Sequence, residues 1–277
     1  MENTYKDTIF PLASIWNGQR QDISENVYGL QVQIVNVYFV RNRNTDDWVL
    51  IDAGMPRSAH AIIEHAAEMF GPNHSPKAII LTHGHFDHVG AITDLIKYWE
   101  VPVYAHEKEL PYLTGKASYP KGDADVEGGL VSSLSPLFPN HGINLDEHIH
   151  ALPADQSVPF LEEWKWIATP GHTEGHISLF CEEDRTLIVG DAFCTVKQES
   201  LYNVITQKHE ISGPPKYFTT DWTKAEQSVQ KLKELEPHFA CSGHGLPIHG
   251  EQLTADLQQL TAHFDEIAKP EHGKFVD

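Results

Sequence analysis

Basic residues are scarce in this chain. Across 277 residues there are 20 Lys and Arg against 39 Asp and Glu, a formal charge of −19. Such a surface repels polyanions and anionic bilayers, and no Lys/Arg cluster offsets it locally. Nucleic acid and membranes are therefore not expected as partners. Cysteine is scarcer still: Cys181, Cys194 and Cys241 are an odd number with no short spacing, which argues against a disulfide framework and against a thiolate zinc site. Cysteine usage of this kind fits a reducing compartment. Long apolar runs are missing too, and the opening MENTYKDTIFPLASIWNG lacks the basic start and apolar stretch of a secretory signal. The expectation is a cytoplasmic protein that handles a small molecule, with no sequence signature of its oligomeric state.

What remains is an ordinary globular composition, 40% hydrophobic and 21% charged, long enough to bury a sizeable core as one domain over 1–277. Histidine is the outlier, with 18. Most read as bland: His60 and His65 fall in an amphipathic helical pattern, and His74, His209, His263 and His272 lie among polar neighbours. HGHFDH is different, because His83, His85, Asp87 and His88 follow the apolar run AIIL almost directly.

Periodicity places that cluster. Val27 to Val40 alternates in its early part and is rich in β-branched and aromatic residues, so it reads as a strand; WVLID, from Trp48 to Asp52, reads as another. Ser58 to Phe70 has helical spacing and stops at Gly71 and Pro72. KAIILT (Lys77 to Thr82) is a short buried strand that delivers the cluster at its C-terminal end. Ala91 to Trp99 is helical again, and VPVYAH is a further strand. From Pro111 to Pro153 the pattern dissolves into Pro, Gly and Ser, which predicts a lid or substrate-shaping insertion over 111–153. Strands return in VPFLEEWKWIAT, SLFCEE and TLIVGDAF, and helices in Trp222 to Glu236 and Glu251 to Ile267. Strands and helices thus recur in both halves, and functional groups in such α/β chains collect at strand ends.

In an extended segment, side chains two apart share a face, so His83, His85 and Asp87 are expected to converge while His88 points elsewhere. Two centres, rather than one, would accommodate all four. Three later stretches follow one local logic: GHTEGH with His172 and His176, LIVGDAF with Asp191, and ACSGHG with His244. In each a strand stops, a glycine permits a sharp turn, and a ligand-type side chain stands beside it.

In this order, HGHFDH, GHTEGH, GD at Asp191 and SGHG resemble the metallo-β-lactamase-fold hydrolases, and the resemblance covers nearly the whole chain from Val27. It implies an α/β (α+β) fold, a four-layer αββα sandwich of two similar halves with the metal site at one edge. Carried over by motif, His83, His85 and His172 hold one metal, Asp87, His88 and His244 a second, and Asp191 bridges them. Asp52, in IDAG, matches a family aspartate that supports the metal-site histidines, which is physically sensible because a carboxylate fixes an imidazole tautomer. His176 falls where the family usually has no ligand and is expected to support the site. Nitrogen and oxygen donors without thiolate suit zinc by default, and also iron or manganese.

The chemistry implied is hydrolysis: paired metals supply hydroxide near neutral pH for attack on an ester, lactone or thioester, with Asp87 orienting it or shuttling its proton. Among subgroups, the best-known zinc β-lactamases place a cysteine where Asp191 stands. Glyoxalase II is similar at the metal motifs, yet its basic glutathione-binding C-terminus has no evident counterpart in EQLTADLQQLTAHFDEIAKPEHGKFVD. Lactonases of homoserine lactones carry a tyrosine where this chain has Cys194, so Cys194, Tyr202 and Tyr217 are the substrate-binding candidates. Thr195 to Trp222 looks like that of uncharacterised bacterial metallo-hydrolases. A charge of −19 makes nucleases or phosphodiesterases the poorest match. The alternative from another class is an oxidoreductase of the persulfide dioxygenase type, which uses one iron held by two His and an Asp.

Overall fold

The structure, a computed structural model, describes Tyr5, residues 12–127 and residues 129–276. Most of the opening stretch read for a secretory signal lies outside the described residues. The chain divides into two compact units, Met1–Tyr119 with His141–Lys165, and Pro120–Asn140 with Trp166–Asp277.

In the first unit, β1 (Arg20–Ser24), β2 (Val27–Val32), β3 (Val35–Arg41), β4 (Trp48–Ile51), β5 (Ile79–Ile80), β6 (Val103–Ala105) and β7 (Ile149–Ala151) form one sheet in sequential order. Short turns keep β1 to β4 antiparallel, whereas β4 to β7 are parallel. Parallel neighbours need long crossovers, and α1 (Ala59–Phe70) supplies the one from β4 to β5. The helical turn α2 (Phe86–Val89) and α3 (Ile92–Trp99) lie between β5 and β6, and α4 (Leu110–Leu113) follows β6. Because Ile51 is paired with Ile80, Asp52 and the start of the HGH loop leave the sheet side by side. Trp48 holds α1 to this sheet, stacking on Phe70 at 4.5 Å.

One expectation fails here. Val27 to Val40 is a tight hairpin, not one strand: Val32 pairs with Val35, and Gln33 adopts a left-handed backbone with φ 60°. The alternation carries into the turn from Leu30 to Ile34 and breaks only at Val35, and neither turn residue, Gln33 or Ile34, is Gly or Asn. The turn is held from outside, since Gln33 N–H donates to Asn17 Oδ1 at 2.6 Å and Ser14 N–H to Gln33 O at 2.9 Å.

β8 (Ser157–Val158) and β9 (Leu161–Ala168) form a hairpin. The sheet of the second unit takes β9 onward, with β10 (Ile177–Cys181), β11 (Thr186–Gly190), β12 (Phe239–Ser242) and β13 (Ile248–His249) in the order β13-β12-β11-β10-β9. Its helices are α5 (Leu130–Leu134), α6 (Leu201–Thr206), α7 (Trp222–Glu234), α8 (Gly250–Ala262) and α9 (Phe264–Ile267). Ala225, Val229 and Leu232 of α7, and Leu253, Leu257 and Leu260 of α8, share a core with Leu187 and Val189 of β11. Those spacings of four and three residues are the apolar stripe of a helix lying on a sheet. β11 and β12 are parallel, with Gly190 opposite Ser242, so Asp191 and His244 leave the same edge; Gly243 N–H donates to Gly190 O at 2.7 Å.

The stretch 111–153 is divided between the two units. Residues up to Tyr119 and from His141 belong to the first unit, where Thr114 bridges Asn144, and Pro120–Asn140 belongs to the second. Two multi-stranded sheets with helices in both units give the mixed α/β architecture that the motifs imply.

Candidate metal centre

The first unit presents its ligand-type residues at the ends of β4 and β5. Asp52, at φ 62°, turns its carboxylate back along the sheet. It accepts the Thr82 backbone N–H on Oδ1 at 2.8 Å and the Thr82 hydroxyl on Oδ2 at 2.8 Å. His88 Nδ1 lies 2.8 Å from the same Oδ2. With its proton given to Asp52, Thr82 Oγ1 accepts from His83 Nδ1, 3.1 Å away. Asp52 thus fixes two imidazoles, one directly and one through a hydroxyl, and in both the nitrogen tied to protein is Nδ1. That makes Nε2 the candidate ligand nitrogen, the usual arrangement behind a metal-binding histidine.

The segment is not extended throughout, which corrects the expected facing. It is extended only to His85 (φ −65°, ψ 152°), and Phe86–Val89 is a helical turn that begins as His88 N–H bonds His85 O at 2.9 Å. His88 is therefore brought back to His83, with ring centroids 4.2 Å apart, and His85 stands edge-on to His83 at 4.8 Å. The ligand atoms of Asp87 and His88 also lie within 4.8 Å of each other. His83 and His88 are fully buried, and His85 and Asp87 almost so.

The second unit gathers around Asp191. His176 accepts the Asp191 backbone N–H on Nε2 at 2.8 Å, and its Nδ1 faces Thr169 Oγ1 at 2.8 Å. Both ring nitrogens of His176 are thereby used by the protein, and the ring fixes the backbone from which Asp191 projects. His172 Nδ1 lies 3.1 Å from Thr219 Oγ1, whose proton goes to Pro215 O at 2.8 Å. The hydroxyl therefore accepts from His172, as Thr82 does from His83, and Nε2 is again the candidate ligand nitrogen. That Nε2 is 3.6 Å from Asp191 Oδ2, and His244 Nε2 is 3.4 Å from the same oxygen. His172, Asp191 and His244 are all buried.

Of the substrate-binding candidates, Cys194 is buried, with its backbone bridged to Ser212. Tyr217 is buried beside Phe218 and Phe138, and Tyr202 is exposed on α6. Sequence reasoning did not find Thr82 and Thr219, the hydroxyls that set imidazole tautomers, nor Glu109 and Tyr119, which touch Gly84 inside the HGH loop. Thr82 had a visible signal, its place directly before His83. Glu109, Tyr119 and Thr219 had none, because distant chain segments bring them in. Burial pushes the Tyr119 hydroxyl well above the usual tyrosine range, with the Glu109 charge adding to it.

Buried imidazoles with Nδ1 committed to oxygen, next to carboxylates and without thiolate, match the donor set of a divalent ion such as zinc, iron or manganese. Imidazoles packed at 4.2 and 4.8 Å would repel one another as cations, so they fit as neutral ligands. Among the described residues, no helix is long and apolar enough to cross a membrane.

Known proteins resemble this chain. The chain is 50% identical over 262 residues to "Probable metallo-hydrolase YflN" of Bacillus subtilis (strain 168), covering 94% of this chain and 99% of that protein. It is 30% identical over 241 residues to "Probable metallo-hydrolase YybB" of the same organism, covering 84% of this chain and 94% of that one. The crystal structure of BJP-1, a subclass B3 metallo-β-lactamase of Bradyrhizobium japonicum, superposes with a TM-score of 0.62 at 20% identity, over 92% of this chain and 94% of that chain. The sequence profile of the metallo-β-lactamase superfamily matches residues 30–244, from β2 through the last of the ligand-type histidines. With its strand-end histidines and aspartates, its two multi-stranded sheets and these relatives, the chain belongs to the metallo-β-lactamase superfamily.

Proposed function

We propose that this chain is a metal-dependent hydrolase of esters, lactones or thioesters, with His83, His85 and His172 holding one divalent ion, Asp87, His88 and His244 a second, and Asp191 shared by both. A hydrolase is supported by family membership and by relatives named as metallo-hydrolases. The observation that carries the ligand assignment is the common state of His83, His88 and His172, each with Nδ1 engaged by a threonine or aspartate oxygen. Such pairs of divalent ions lower the pKa of water and polarise a substrate oxygen.

The chain's own residues do the remainder. Asp52 and Thr82 hold two imidazoles in one tautomer, so no reorientation is needed when an ion or substrate arrives. His176 keeps Asp191 in place through the backbone. Asp87, at the start of the helical turn, is the carboxylate suited to orient the attacking water or take its proton at Oδ. A carboxylate at position 191 and a charge of −19 favour small uncharged acyl substrates over β-lactams and phosphodiesters.

The test measures metal content and then assays the as-isolated protein on lactones, thioesters, phosphodiesters and a β-lactam. Two divalent ions per chain and turnover of an ester, lactone or thioester are expected, with Asp191→Ala and His85→Ala losing metal and activity together. Full activity in metal-free protein, or a single iron with oxygen consumed in the presence of a persulfide, would overturn the proposal.

A further inference from the structure

The HGH loop is gripped from a side that the ligand motifs do not describe. Gly84 separates His83 from His85, and its N–H is shared between Glu109 Oε2 at 3.0 Å and Tyr119 Oη at 3.1 Å. Tyr119 in turn donates its hydroxyl proton to the same Glu109 oxygen. The Tyr119 ring stands edge-on to His85 at 4.6 Å, and Tyr112 stacks behind it at 4.0 Å with an interplanar angle of 11°. Glu109 is fully buried and Tyr119 nearly so. There is no slack in this contact: a Cβ on Gly84 would lie 2.5 Å from Tyr119 Oη and 3.1 Å from Leu113.

We infer that Glu109 and Tyr119 are positioning residues for the metal ligands, fixing the Gly84 peptide and the His85 ring so that His83 and His85 present their nitrogens at one set angle. A buried carboxylate is costly to keep unless it is well bonded, and the hydrogen bonds named for this one run to the backbone between two candidate ligands and to the tyrosine against the second. Asp52 and Thr82 set His83 and His88 from the other side, while His85 has Tyr119 against its ring. The segment that carries the grip is itself welded down. Ile143 N–H donates to Tyr112 O at 2.9 Å, and Thr114 bridges Asn144. The two ends of the apparently irregular 111–153 stretch thus serve to brace this loop.

This inference rests on the proposed metal centre, and the experiment separates the two. Wild type, Glu109→Ala, Glu109→Gln and Tyr119→Phe are purified with zinc, the rate of zinc release to a chromogenic chelator is followed, and the visible spectrum is recorded after cobalt(II) substitution. The expected result is zinc release about 10–100-fold faster in Glu109→Ala, a smaller increase in Tyr119→Phe, and altered cobalt bands in both. Glu109→Gln keeps an acceptor for Gly84 and is expected near wild type in both measurements. A general structural role would lower thermal stability without changing the cobalt spectrum, so wild-type bands and release rates in Glu109→Ala and Tyr119→Phe overturn the inference. If Glu109→Ala does not fold, Tyr119→Phe decides in the same way. Wild type that binds neither zinc nor cobalt sinks the metal centre itself, and the positioning role with it.

Discussion

At the scale of single residues, Asp52 holds three groups at once. It accepts from a backbone amide and a hydroxyl and fixes His88, all in the interior. Asp52→Ala strands those donors in a buried place, which should cost about 3 kcal/mol of stability. It should also weaken metal binding about 10–100-fold. Urea unfolding of the metal-free variant measures the first and a zinc titration the second; unchanged zinc affinity would show that His83 and His88 keep their orientation unaided. The motif residues were legible because their chemistry is concentrated: His83, His85, Asp87 and His88 are neighbours in sequence. The oxygens behind them were less so. Thr82 stands next to His83, whereas Thr219 reaches His172 across 47 positions and Glu109 reaches Gly84 across 25, and local patterns do not carry such separations.

At the scale of elements, strand ends place the candidate ligands and glycines let the chain turn there. The loop between β9 and β10 shows how tightly. Gly171, at φ 136°, packs so closely on the first turn of α7 that a Cβ would meet Ala225 N at 2.4 Å. Its carbonyl accepts Thr220 N–H and Asp221 N–H, each at 3.1 Å, just before α7 begins. Gly171→Ala combines a strained backbone with a backbone clash, and neither can relax without moving His172. A loss on the order of 2 kcal/mol is expected, with reduced metal content and most of the change confined to the loop. Hydrogen exchange that stays at wild-type rates through residues 169–176 would argue against this coupling. Element type was mostly readable: α1, α3 and α7 lie where 3.6-residue spacing put them, and the helix expected over Glu251 to Ile267 is divided at His263 into α8 and α9. The failures have physical causes. The β2–β3 turn is imposed on Gln33 by Asn17 and Ser14, and the helical turn at Phe86–Val89 is too short to show a period.

At the scale of the whole molecule, the excess of acid sets how stability responds to pH, and one buried carboxyl should be separable from the rest. Glu199 is 1% exposed, and its Oε1 accepts the Lys216 N–H at 2.8 Å. Burial raises its pKa above the ordinary 4.5, and the hydrogen bond from Lys216 and nearby lysine charge only partly offset this. The folded chain therefore keeps a proton that the unfolded chain gives up, so ν of the folded state exceeds that of the unfolded state and stability falls as pH rises from about 4.5 through the folded-state value. Self-repulsion acts in the same direction, because net negative charge grows above the pI of about 5.3. Salt distinguishes the two. The Debye length of about 8 Å at 0.15 M shrinks to about 3 Å at 1 M, which screens surface charges but leaves a desolvated carboxyl unchanged. In 1 M NaCl, wild type should still lose stability between pH 4.5 and 7 in urea titrations, and Glu199→Gln, which cannot ionise, should show a flatter profile. If both proteins keep the same slope at high salt, Glu199 is not the group responsible. If the slope of wild type vanishes in salt, surface repulsion alone accounts for it.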